Sequence, residues 1–231
     1  MLSVEMLPAG NGDCLWIEYG DAKNSKRVLI DGGTRATDGV LASRIRALRD
    51  RKFELMVLTH VDMDHIGGML KVWQNPDVKF DVADSWMNGR GHLDAPDALG
   101  ALEGEKLTRI LNCRETPWNK AFHKAAVIVP PSGPLPVIRL DEITSLTLLS
   151  PYFKQLQDMI PAWDRAINDL DEEADGLDDD KVSPADLLGG GPDVEELANA
   201  PTSDDTTKPN GSSIAFLFEH DGKSIVFGAD A

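Results

Sequence analysis

Residues 58–68 read LTHVDMDHIGG, so His60, Asp62, Asp64 and His65 fall within six positions, directly after an apolar run and just before a glycine pair. Four potential ligands crowded into one turn repel one another unless a cation sits among them. A strand that ends in His-x-Asp-x-Asp-His aims alternate side chains into one concavity as the backbone turns. Imidazole suits zinc, iron or manganese, and carboxylate suits the harder members of that set. His60 and Asp62 can hold one ion while Asp64 and His65 hold a second, and Asp64 can also carry a proton, which makes it the expected catalytic residue. Gly67 and Gly68 let the following helix start close beside the site with no Cβ in the way. The bland alternative is a polar loop whose aspartates cap that helix, but four such residues in six positions tell against it. Two metal ions 3.5–4 Å apart, to order of magnitude, can lower the pKa of a water held between them towards neutrality, which points to hydrolysis. There is no Gly-x-Ser-x-Gly motif to suggest a competing nucleophile.

The elements that must position these residues follow from the flanking pattern. SVEMLPA and DCLWIEYG read as strands on either side of a Gly-Asn-Gly turn, and KRVLIDGG reads as a strand ending at Asp31 and a glycine pair. TDGVLASRIRALRD places Val40, Leu41, Ile45 and Leu48 on one helical face. FELMVLTH is a buried strand delivering His60 at its end, and IGGMLKVWQ is a short helix stopped at Asn75-Pro76. FDVADSWM and AAVIV are expected strands, with a helix over 97–112 between them, and EITSLTLLSP is a threonine-rich strand. NGSSIAFLFEHDGKSIVFGADA carries two strands around Asp221-Gly222, a strong hairpin signal. The fold class is α/β, with strand-end loops carrying the polar residues.

The bulk numbers set bounds. At 231 residues and 42% hydrophobic content, the chain can bury a proper core. No stretch approaches the roughly 18–20 apolar residues of a membrane span, and the start lacks a secretory signal. Cys14 and Cys113 stand far apart without metal or redox spacing, so reduced thiols in a cytoplasmic protein are expected. The net charge of −16 is uneven: residues 164–205 hold 15 acidic and two basic residues, giving −13 and leaving −3 for everything else. Residues 161–209 therefore read as an acidic insertion or linker. It is either a solubilising loop or a tether whose carboxylates mimic phosphate and block the site.

The His60–His65 cluster resembles the hallmark loop of the metallo-β-lactamase superfamily, His-x-His-x-Asp-His, with Asp62 in place of the second histidine. That variant resembles the branch containing the hydrolase domain of bacterial competence DNA-uptake channels. MLPAGNGDCLWIEY with VLIDGG, carrying Asp13 and Asp31, is similar to the branch's opening strands, and NGSSIAFLFEHDGKSIVFGADA is similar to its Asn-x-x-Ser strand and Gly-Asp-Ala motif. The resemblance implies an αββα sandwich over residues 1–231 that holds its first half and the start of its second. It implies Asp230 as the carboxylate that bridges two divalent ions, zinc or manganese. It also implies Asp31 as an orienting group, and a C-terminal remainder or second chain that completes the active site. His92 and His123 are the candidates for a further histidine ligand, although a histidine placed as His92 is in NGRGHLDAP is usually just an exposed loop residue. The implied activity is that of a metal-dependent phosphodiesterase or nuclease with nucleic acid as substrate. A small-molecule hydrolase of lactones, thioesters or amides uses the same site, and a non-catalytic binding subunit fits an incomplete ligand set. A channel lined by Trp86, Trp118 or Trp163 favours the small molecule, and a basic groove favours nucleic acid.

Overall fold

The computed structural model describes residues 1–21, 23–94, 116–160 and 208–231. The expected helix over 97–112, Cys113, Trp163 and the acidic stretch up to residue 207 lie outside the described residues.

The first sheet has five strands in the order β1 (Leu2–Met6), β2 (Leu15–Asp21), β3 (Asn24–Ile30), β5 (Leu55–Val57) and β7 (Ser85–Trp86). β1–β2–β3 is an antiparallel meander, and β3, β5 and β7 run parallel. Between them come helix α1 (Asp38–Arg46), helix α2 (Met63–Gln74) and a two-stranded ladder of β4 (Lys52–Phe53) with β6 (Asp81–Val82). The second sheet is antiparallel, ordered β11 (Lys223–Phe227), β10 (Ala215–His220), β9 (Thr144–Ser150) and β8 (Val137–Arg139).

The central strands of the first sheet are covered on both faces, which is why they read as apolar runs rather than as alternation. Trp16, Leu29 and Met56 point to one side and pack with Leu41, Ile45, Ile66 and Met69 of the two helices. Ile17, Tyr19, Val28, Ile30, Leu55 and Val57 point to the other and meet Leu146, Leu148, Phe216 and Phe218 of the second sheet. Two apolar interfaces thus stack helix, sheet and sheet, and each fully buried large aliphatic or aromatic side chain contributes about 1.5–3 kcal/mol. Among the described residues this gives an α/β fold with a two-sheet core, as the sequence pattern implies.

The hairpin expectation holds, with Asp221 (φ 48°) and Gly222 (φ 73°) both left-handed between β10 and β11. Two expected strands come out differently. FDVADSWM is divided between two ladders, because the Asp84 carboxylate at its middle accepts from the amides of Ser85, Lys120 and Ala121 and from Trp86 Nε1. AAVIV forms only an isolated bridge, Val129 with Tyr152. The Asn88 side chain takes the place of a neighbouring strand there, accepting from Val127 N at 2.8 Å and donating to Val127 O at 3.0 Å.

Helix α2 lies directly on the turn after β3, backbone against backbone. Gly32 N donates to His65 O at 2.8 Å, and Gly68 N donates to Gly33 O at 2.9 Å. A Cβ on Gly68 would collide with the Gly32 carbonyl oxygen, and one on Gly32 with the Met69 amide nitrogen. Gly39, by contrast, faces open space. Gly68→Ala is therefore expected to cost about 1–3 kcal/mol of overpacking, while Gly39→Ala stays within about 0.5 kcal/mol. Urea denaturation midpoints of the two variants check this, and equal midpoints would remove the close-approach account.

Candidate metal centre

β5 ends at Val57, three residues before His60, because the chain then exchanges strand pairing for side-chain partners. Asp31 stops β3 in a left-handed conformation (φ 56°) and is fully buried. Its carboxylate accepts from Thr59 N at 2.8 Å through Oδ1 and from the Thr59 hydroxyl at 2.7 Å through Oδ2. The same Oδ2 lies 3.0 Å from His65 Nδ1. Because the Thr59 hydroxyl donates to Asp31, it accepts from His60 Nδ1, 2.9 Å away. Ser213, just ahead of β10, places its Oγ 3.3 Å from the same nitrogen. One buried carboxylate therefore keeps a proton on Nδ1 of both imidazoles, His65 directly and His60 through Thr59, and turns both Nε2 atoms outward, each offering a lone pair to a metal once His65 gives up its Nε2 proton.

Those lone pairs converge. The two rings lie 4.1 Å apart, and Asp230 Oδ2 stands 3.9 Å from His60 Nε2 and 3.4 Å from His65 Nε2. Ligand atoms of His60, His65 and Asp230 all lie within 4.8 Å of one another. Asp62 Oδ2 approaches His60 Nε2 at 3.6 Å and Asp64 Oδ2 approaches His65 Nε2 at 4.0 Å. Asp62 is the N-cap of α2, yet its side chain makes no capping bond. All five residues singled out in the sequence are thus gathered at one end of the sandwich, with Asp62 and Asp64 flanking the central trio, each beside one imidazole.

His60 Nε2 is buried without a hydrogen-bond partner among the described residues, a cost of about 1–3 kcal/mol for an unsatisfied group. A divalent cation removes that cost. Two imidazole nitrogens and a carboxylate oxygen are the donors that zinc, manganese and iron accept, so the residues present fit a metal. Burial, followed by the proximity of His65, pushes His60 down to about 3. Burial also lowers His65, but the hydrogen bond to Asp31, its charge and the charges of Asp230 and Asp64 outweigh it and raise His65 to about 9.

Other candidates do not join the site. His92 is neither an exposed loop histidine nor a ligand: it is fully buried, accepts from Gly89 N through Nδ1, donates to Lys124 O through Nε2 and lies against Trp118. His123 is exposed. Trp86 and Trp118 are buried in the core. Burial first, then the charges of Asp31 and Asp13, pushes the Cys14 thiol up to about 12, so it stays protonated and is no nucleophile at neutral pH. Thr59 and Ser213 escaped the sequence reading, although Thr59 immediately precedes the first ligand and Ser213 is the serine of the Asn-x-x-Ser stretch.

With fold and geometry in place, the chain belongs to the metallo-β-lactamase superfamily, whose sequence model matches residues 7–231. No curated protein matches the chain. No helix among the described residues is long and apolar enough to cross a membrane.

Two outcomes are expected. A metal at this cluster must displace the Nε2 proton of His65, which is retained up to about pH 9, whereas His60, titrating at about 3, has none to lose. Near pH 7 filling the cluster therefore releases about one proton in all, from His65, and the affinity for the ion that His65 holds rises roughly tenfold per pH unit until about pH 9. Calorimetry in buffers of different ionisation enthalpy measures the release, and zero protons at pH 7 would contradict the assignment. Separately, Thr59→Val is expected to weaken metal binding about 10–100-fold and Thr59→Ser to restore most of it, read by competition with a chromogenic chelator.

Proposed function

We propose that the chain is a metal-dependent hydrolase in which His60, Asp62, Asp64, His65 and Asp230 hold two divalent ions. The observation that carries this is the pair of outward Nε2 atoms, one of them buried and partnerless, facing the Asp230 carboxylate. In this reading His60 with Asp62 would hold one ion and His65 with Asp64 the other, with the Asp230 carboxylate available to both. Asp31 and Thr59 keep both imidazoles in the binding tautomer. Asp64, whose side chain is 39% exposed, can pass a proton between the site and solvent. When bound, the ions supply a hydroxide nucleophile at neutral pH and stabilise the negative charge that develops on the attacked group.

Two classes of bond suit such a centre. The phosphodiester is supported by the likeness of His-x-Asp-x-Asp-His to the competence-channel branch and by the oxygen-rich donor set, which suits manganese. That support is analogy. The lactone, thioester or amide is supported by a feature of this chain. The cleft walled by Thr59 and Ala229, next in sequence to His60 and Asp230, is mainly aliphatic, and among the described residues no lysine or arginine lines it. The small carboxyl derivative therefore takes precedence over the nucleic acid.

Chelator-treated protein should hydrolyse neither bis(p-nitrophenyl) phosphate nor p-nitrophenyl acetate. Mn²⁺ or Zn²⁺ should restore the preferred class, and His60→Ala or Asp230→Asn should lower kcat/KM by about 10³-fold or more with the fold retained by circular dichroism. Turnover undiminished by chelation, or by both substitutions, would refute the hydrolase reading.

A further inference from the structure

β1 is an edge strand of the first sheet and β11 of the second, and residues of both line one concavity among the described residues. A cavity of about 350 Å³ lies there, within the usual size of a small-molecule site, roughly 300–1,000 Å³. Met6 pairs with Leu15 and Leu15 with Ile30, so these three side chains form one cross-strand row on the inner face of the first sheet. Ile214 and Phe227 close the cavity from the second sheet. The inner-face side chains of β1 that line it remain in water: Met6 is 75% exposed and Val4 39%. Aliphatic side chains left exposed together around one concavity mark a place where something apolar binds.

The charges at the cavity limit what that can be. Among the described residues Asp13 is the one charged side chain in the lining, so they present no cation there to grip a phosphate strand. The hydroxyl of Thr59, the other polar side chain, is already committed to Asp31 and His60. A flat base has no stacking platform apart from Phe227, which is itself mostly buried. What the walls match is a flexible aliphatic chain.

We infer that this cleft receives the aliphatic acyl chain of a small carboxylic ester or lactone, and that the acyl carbonyl lies at the His60–His65–Asp230 cluster, past Thr59 and Ala229. The inference rests on the hydrolase reading above and names its substrate class. The step consumes one water: its oxygen bonds to the acyl carbon, the acyl C–O bond breaks, one proton passes to the departing alkoxide and the other leaves the acid as it ionises. No oxidant or second substrate is needed.

The test uses the metal-loaded chain and p-nitrophenyl acetate, butyrate, hexanoate and octanoate. kcat/KM should climb about threefold to fourfold per buried methylene until the cleft is full. Met6→Glu should flatten the climb, and Val137→Glu, on the exposed strand β8 at the far edge of the second sheet, should leave its slope unaltered. A flat series from the wild-type chain would overturn the inference. Methyl NMR during titration with octan-1-ol reads the cleft without turnover, and shifts at Val4 and Met6 but not at Val137 are expected. Absence of those shifts overturns the cleft even if bis(p-nitrophenyl) phosphate is cleaved, an outcome that leaves the hydrolase standing. Shifts without any ester turnover overturn the ester assignment.

Discussion

Everything at the site depends on one buried carboxylate. Asp31 is excluded from water and accepts three hydrogen bonds, two from Thr59 and one from His65. A carboxylate there without partners would be too costly to keep ionised, and burial alone raises its pKa; the bonds from His65 and Thr59 oppose that rise. The pairing works in both directions. The imidazoles give Asp31 its donors, and Asp31 gives them a fixed tautomer and orientation. Its position in turn requires the left-handed backbone at the end of β3 and the glycine contacts that bring α2 against it.

The site is assembled from chain segments that have little in common locally. Asp31 ends one strand, His60 follows another, His65 lies in the first turn of a helix, and Asp230 follows the last strand of the second sheet. Ile214 N donates to Thr59 O at 3.0 Å, so the second sheet is tied to the residue beside His60 as well as packed against the first. This explains how a carboxylate 165 residues beyond His65 can come within 3.4 Å of it. It also means that metal affinity and folding are linked, because the donor set exists only when both sheets are joined.

The parts of the site that were legible in the sequence are those whose spacing is local. His60, Asp62, Asp64 and His65 declare themselves within six positions, and the β10–β11 hairpin is written in Asp221-Gly222. Asp230 was reachable only by likeness to a family, since nothing in its own surroundings distinguishes it from another terminal aspartate. Thr59 and Ser213 were not legible as partners of His60. Their role arises from a pairing that spans up to 153 residues, and a threonine before a histidine is otherwise unremarked. AAVIV misled because an asparagine side chain can satisfy a backbone as a neighbouring strand does. His92 reads in the sequence as an exposed loop histidine, whereas its bonds with Gly89 and Lys124 and its packing on Trp118 claim it for the interior. The apolar cleft arises between two strand edges and has no signature in either strand alone.

The β10–β11 hairpin acts as a measuring device. Its two-residue turn sets the register in which Phe227 faces Phe216 and the chain emerges at Asp230. Side chains alternate along a strand, so one residue added at Asp221-Gly222 would exchange the faces of Val226 and Phe227. The same addition would displace Asp230 by about 3.3 Å, nearly its whole separation from His65. A turn far from the ligands, at the opposite end of the second sheet, thus fixes whether the third donor arrives, and its length is under chemical constraint although no part of it touches the site.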